Sequence, residues 1–282
     1  MRKILSIEPL GARTVKTAYI PKSSFIRALS VITPQFVYYY INQIVTYESA
    51  LIIGRYGYSS SLAANNSQLI AALIRILALV IAVAPLLYSF AKEYPVLLPE
   101  GNDDTLTKKI WYVCILSMSI ALFLNALAAF TGFMQISVDF EKTAENQFSL
   151  PLGIGILVYG IITPVTEEVV HRGITYNRLR RYFGLSVSVV VSSLLFGVSH
   201  GNPVQLVYGF VMGILICLIY ERYGAFIYPV LFHCIANTMV YIVVRVPLLR
   251  NMLFSLPAVL FEIAASLAFI YMIFGYGSTD KS

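Results

Sequence analysis

The chain has 282 residues, of which 58% are hydrophobic and only 12% charged, with a formal net charge of +6. That charged share is about half of what a soluble domain carries, and a positive mean hydropathy over such a length leaves a multi-span membrane protein as the class that fits. The lysines and arginines form no long run between aromatics, so nucleic acid is not an expected partner.

In chain order, residues 1–24 read as a basic cytoplasmic tail: Arg2, Lys3, Arg13, Lys16 and Lys22 interrupt any apolar core a cleaved signal peptide would need. Residues 25–149 then hold N-terminal membrane helices and loops. A first span near 25–53 is the weakest, broken by Arg27, Pro34, Gln35, Asn42, Gln43 and Glu48, and is expected to be irregular or partly interfacial. Further spans follow near 68–90 and 110–134, and 135–149 reads as an acidic loop. A fourth helix starts near Leu150, and later spans lie near 184–200, 203–221, 224–244 and 253–275. The fold expected is all-α, a polytopic integral membrane bundle of about eight transmembrane helices. Residues 150–245 form its presumptive core, and 246–282 a last helix with a short tail. Basic residues at the N-terminus, Lys92, Lys108-Lys109, Arg178-Arg180-Arg181 and Arg222 set a cytoplasmic N-terminus, with Arg245 and Arg250 as exceptions. Cys114, Cys217 and Cys234 sit in apolar runs with no paired spacing and read as small buried hydrophobes.

Against this apolar background, one stretch stands out: Thr163-Pro164-Val165-Thr166-Glu167-Glu168-Val169-Val170-His171-Arg172. Each ionisable group at membrane depth costs roughly 2.5–3.5 kcal/mol on insertion scales, so its default reading is functional. If Leu150–Phe183 is one long helix ended by Gly184, Glu167 lies about 24 Å before the turn and His200 about 25 Å after it at ~1.5 Å per residue. An antiparallel hairpin therefore holds them at one depth. Four-residue spacing pairs Glu168 with Arg172 and Glu167 with His171, and puts His233 and Asn237 on one face. Glu168 is then a structural partner of Arg172, and Glu167 is free to take a proton. His233 and Asn237 supply hydrogen-bonding groups of the kind an oxyanion hole needs. Taken singly, each feature has a bland reading: a packed histidine, a structural ion pair, polar glue between helices. Their conjunction argues otherwise, because the chain's three histidines all fall in these three segments.

The order Glu167-Glu168-x-x-x-Arg172, then Phe196-x-x-x-His200, then His233-x-x-x-Asn237 resembles the CPBP family, the CAAX proteases and bacteriocin-processing enzymes, also called ABI. The resemblance covers about 150–245. It implies an eight-helix intramembrane endopeptidase in which Glu167 activates water with His200, His233 and Asn237 stabilise the oxyanion, and Glu168 and Arg172 hold the architecture. The partners implied are a membrane-presented peptide or protein, prenylated or not, and the lipid bilayer. CAAX-type cleavage, peptide or bacteriocin processing and self-immunity to a bacteriocin are the roles it allows. His171 departs from the pattern; it either tunes Glu167 from the same face or simply snorkels, and the second is the expectation.

No cofactor is expected. A zinc site from His200, His233 and Glu168, with Glu167 as base, is the alternative. Against it stand the missing His-Glu-x-x-His, an Asn237 with no role, and Arg172 beside a would-be ligand. The rival outside enzymology is a membrane scaffold or a proton-coupled transporter using the same polar residues.

Overall fold

The computed structural model describes residues 21, 23–56, 66–93 and 104–275, and every described element is helical. The expected basic tail lies mostly outside the described residues. Besides the short 3-10 turn Phe133–Ile136, ten helices follow in order among the described residues: α1 Ser24–Tyr56, α2 Ser67–Lys92, α3 Asp104–Phe130, α4 Val138–Phe148, α5 Leu152–Tyr182, α6 Leu185–Val198, α7 Pro203–Tyr223, α8 Ile227–Arg245, α9 Pro247–Leu253 and α10 Leu256–Phe274. Six of them, α2, α3, α5, α7, α8 and α10, are long and apolar enough to cross a membrane, and α6 is a shorter apolar helix. The protein is an integral, multi-pass helical membrane protein.

α1 falls short of that apolar threshold, as its polar residues foretold. It is nevertheless one unbroken helix of 33 residues that runs through Pro34, and not an irregular segment. The acidic stretch read as a loop is in fact helix α4, started by Ser137, whose side chain accepts from the Phe140 amide at 3.2 Å. A serine cap offsets the poor helix propensity of so polar a segment. α9 is a further short helix, opened by Pro247 in its first turn, where the missing N–H costs nothing.

The outward faces carry large apolar side chains at helical spacing, such as Val187, Val190, Leu194 and Val198 on α6 and Leu260 and Leu267 on α10. In lipid such faces need no burial, so the inward faces carry the packing information. One buried cluster, around Leu79, Val170, Ile174 and Tyr220, joins α1, α2, α5 and α7. Another, around Leu116, Ile216, Tyr228 and Phe232, joins α3, α7, α8 and α10.

Two features set where the polar residues fall. α6 and α7 approach with glycine against glycine: a Cβ on Gly197 would lie 2.5 Å from the Leu206 carbonyl oxygen and 3.2 Å from the Phe210 amide nitrogen. Between them Gly201 takes φ +74°, a left-handed turn that a Cβ disfavours. His200 sits at this turn. The second feature is α5, which contains two wider π-helical stretches, Ile156–Ile162 and Val169–Tyr176, around the α-helical Thr163–Glu168. π-helical turns rotate everything beyond them relative to a regular helix and recur at functional sites.

Pro164 lies between these stretches and has no N–H to give the turn before it. In a membrane the carbonyl it frees must find a donor elsewhere. Side chains of α8 donate to three carbonyls of this turn: Asn237 Nδ2 to that of Tyr159 at 3.2 Å, Thr238 Oγ1 to that of Gly160 at 3.4 Å, and Cys234 Sγ to that of Ile161 at 3.8 Å. The register between α5 and α8 follows from these contacts.

Candidate active site

The motif side chains meet around the ring of Phe196. His171, His200 and His233 stand edge-on to it, with ring centroids 5.0, 5.0 and 5.4 Å away. The Arg172 guanidinium lies over its face, 4.6 Å from the centroid. The quadrupole of the ring attracts that cation more strongly for being out of water.

The two adjacent carboxylates have different surroundings. Glu168 is fully buried, and its Oε1 accepts from Arg172 Nη1 at 2.8 Å and from His233 Nδ1 at 2.8 Å. Arg172 is equally buried and donates its Nη2 to the Gly213 carbonyl at 3.3 Å. Glu167, one residue earlier, has no arginine. Its nearest ionisable partner across the site is His233, whose Nε2 lies 3.8 Å away, beyond a hydrogen bond.

Partner chemistry assigns the ring protons. A carbonyl only accepts, so His200 Nδ1, 2.8 Å from the Phe196 carbonyl, carries the hydrogen, and Nε2 of the neutral ring is left as an acceptor. The Glu168 carboxylate likewise accepts, so His233 Nδ1 donates and its Nε2 faces Glu167. Asn237 gives one Nδ2 hydrogen to Tyr159 and retains another.

Glu167, His200, His233 and Asn237 all line one cavity of about 950 Å³, together with His171 and Phe196. Glu168 and Arg172 lie behind its wall. The pairing expected between Glu167 and His171 is absent: among the described residues no hydrogen bond joins them, and His171 Nδ1 is buried without a partner. The wider turn that begins at Val169 carries His171 off the Glu167 face and onto Phe196. Helical spacing of 100° per residue does not hold through such a turn.

Sequence reasoning left out much of the cavity wall. Gln35, Asn42 and Gln43 of α1, Asn146 and Gln147 of α4, and Gln205 of α7 give it a row of amides, set among apolar residues such as Phe148, Val207 and Met212. Gln35, Asn42 and Gln43, three of the residues that weaken α1 as a span, lie on its cavity face. Tyr38, also on α1, donates to Thr166 Oγ1 at 2.8 Å, since the Thr166 hydroxyl proton goes to the Thr163 carbonyl. That bond ties α1 to the residue next to Glu167. A second omission is Arg75 of α2, the one Lys or Arg among the cavity-lining residues described, as Glu167 is the one Asp or Glu. A single arginine inside the apolar run Leu69–Val83 was the available signal.

The protein-family description that matches is "Type II CAAX prenyl endopeptidase Rce1-like", over residues 149–239, which hold all three motifs. A relative in Bacillus subtilis (strain 168), named "Putative membrane peptidase YdiL", is 25% identical over 232 residues, covering 78% of this chain and 92% of its own. Both matches support the resemblance to the CPBP, or CAAX protease, family that the motifs carry. No solved structure matches the chain. At the level of the family, these matches support a protease embedded in the membrane. The match ends near Asn237, so the Rce1-like segment contains α5, α6 and α7 whole and the motif half of α8. Among the described residues, no three His, Cys, Asp or Glu side chains are grouped as a metal ion would need.

Proposed function

We propose that this protein is an intramembrane endopeptidase in which Glu167 and His200 activate the water that attacks a membrane-presented peptide bond. The observation that carries the reading is the unequal treatment of the two carboxylates. Glu168 is committed to Arg172 and His233, whereas Glu167 faces the cavity with no arginine or lysine paired to it. His200 offers Nε2 as an acceptor, so a water between them can give one hydrogen bond to each.

The chemistry follows in order. Water attacks the carbonyl carbon and its proton passes to Glu167. The oxyanion that forms receives the spare Nδ2 hydrogen of Asn237 and, from a doubly protonated His233, the Nε2 hydrogen, while Nδ1–H stays on Glu168. Glu167 then gives its proton to the leaving amine as the C–N bond breaks. Each oxyanion donor of this kind contributes on the order of 10²–10³ in rate. The zinc alternative requires Glu168 as a ligand, and here Glu168 Oε1 already holds Arg172, whose charge opposes a cation. That set of donors is a poor fit for zinc and supports the metal-free route. The row of amides along the cavity suits the N–H and C=O groups of an extended peptide, and its apolar remainder suits a chain or lipid group entering from the membrane.

The test is cleavage of a quenched peptide library, prenylated and unprenylated, by protein purified in detergent. Wild type cleaves with and without a strong chelator, and Glu167→Gln cleaves about 10²–10⁴-fold more slowly. Full activity in Glu167→Gln refutes the proposal; loss with chelator moves the reading to zinc. The peptides cut tell a prenyl substrate from a plain leader or bacteriocin-type peptide.

A further inference from the structure

Arg75 has no role in the mechanism above, yet its position is costly. It lies inside α2, in the apolar run of a candidate span, where an arginine is unfavourable by roughly 2.5–3.5 kcal/mol on insertion scales. Such a residue normally meets a carboxylate. Among the described residues Arg75 forms no ion pair. Its one hydrogen-bond partner is neutral: Nη1 donates to Asn42 Oδ1 at 2.9 Å, across to α1. Nε is buried with no partner at all. Asn42, itself buried, holds the guanidinium at the cavity wall, and the fork of donors is left incompletely used.

Among the described residues the cavity lining thus carries two charged groups besides its histidines, the Arg75 guanidinium on α2 and the Glu167 carboxylate on α5. We propose that Arg75 is a specificity residue whose guanidinium receives a carboxylate of the peptide substrate. Guanidinium and carboxylate match as planar, two-pronged partners, and away from bulk water the pair is strengthened. A peptide offers that group in two ways, as its C-terminus or as an aspartate or glutamate side chain. Anchored at Arg75, the backbone runs along the amides of α1 and α4 toward Glu167. The inference rests on the peptidase reading, but it concerns binding and is read out separately.

The experiment uses three pools of fluorescent apolar octapeptides. One ends in a free acid, one in a carboxamide, and one in a carboxamide with a single internal glutamate. Binding to detergent-purified wild type, Arg75→Gln and Arg75→Lys is followed by anisotropy, and the products by mass spectrometry. Wild type binds at least one carboxylate-bearing pool about tenfold more tightly than the plain carboxamide, the preference expected of one charge-assisted pair. Arg75→Gln removes the preference without weakening carboxamide binding, and Arg75→Lys keeps part of it. For any pool that is cleaved, Arg75→Gln raises KM for the carboxylate-bearing peptides and leaves kcat. Which pool is preferred assigns the C-terminus or the side chain.

Equal binding of all pools by wild type overturns the proposal, as does a preference that survives Arg75→Gln, or no binding of any pool. Should Arg75→Gln fail to fold, the wild-type comparison and Arg75→Lys still decide. Preference without cleavage upholds the subsite and removes the peptidase reading. Cleavage without preference does the reverse.

Discussion

Removing the charge of Arg172 with Arg172→Met tests the energetics on which the site is built. Methionine keeps the length and the apolar stem but leaves Glu168 as a fully buried carboxylate with only His233 Nδ1 upon it. Both members of the pair have no exposed side-chain surface, so no solvent reaches the orphaned charge. Breaking a buried pair by taking one partner costs about 3–5 kcal/mol. The lost hydrogen bond to the Gly213 carbonyl and the lost stacking on Phe196 fall within that range. The double variant Glu168→Gln/Arg172→Met leaves no net buried charge, so its loss is far below the sum of the two single losses. A coupling of about 3 kcal/mol is the magnitude expected of groups sharing one buried network. The assay is a double-mutant cycle of equilibrium unfolding in mixed micelles with rising denaturing detergent. A single loss under about 1 kcal/mol, the range of exposed pairs, refutes the reasoning. Additive single losses refute it equally.

Other substitutions separate chemistry from scaffold. Glu167→Gln lowers cleavage by about 10²–10⁴-fold, the share of a general base, and leaves the detergent unfolding midpoint within error, since Glu167 holds no ion pair with arginine or lysine. Gly197→Ala puts a methyl 2.5 Å from a backbone oxygen that cannot move alone, so α6 lifts off α7 at a cost of about 1–3 kcal/mol, and cleavage falls as His200 moves. Thr238→Val leaves the Gly160 carbonyl without its donor and lowers stability by about 0.6 kcal/mol, the average for interhelical hydrogen bonds in a membrane. In a Pro164→Ala background, where the restored N–H can reach that turn, the same change has less effect.

The parts of the site legible in the sequence are those governed by rules that survive the membrane. Glu168 and Arg172 are four apart on one helix and pair as such spacing requires. Gly184, extended at φ −68° and ψ 169°, starts the turn into α6, and Glu167 and His200 come to line one cavity. What was not legible depended on departures from regular geometry or on partners far along the chain. The π-helical turns of α5 leave no clear mark in residue type, and they send His171 to Phe196. Phe196 itself belonged to a motif but had no assigned part, although three histidines and an arginine surround it. Arg75 is one cation in an apolar run, and only the fold brings Asn42 of α1 to it. Helix α4 was hidden by its polar composition: half of it faces the cavity and half carries acidic residues such as Glu141 and Glu145 outward.

Pro164 connects these observations. The proline deprives the turn before it of a donor, and a wider turn on either side spreads the deficit over several carbonyls. Lipid offers nothing in return, so the missing donors come from the side chains of α8. Asn237 is thereby held by one hydrogen on the backbone of α5 while its other hydrogen is left for the cavity. One turn earlier on α8, His233 is drawn to Glu168, four residues beyond the proline. An interruption that would weaken a soluble helix here fixes the register of two membrane helices. That register sets Glu167, His233 and Asn237 against one another before any substrate arrives.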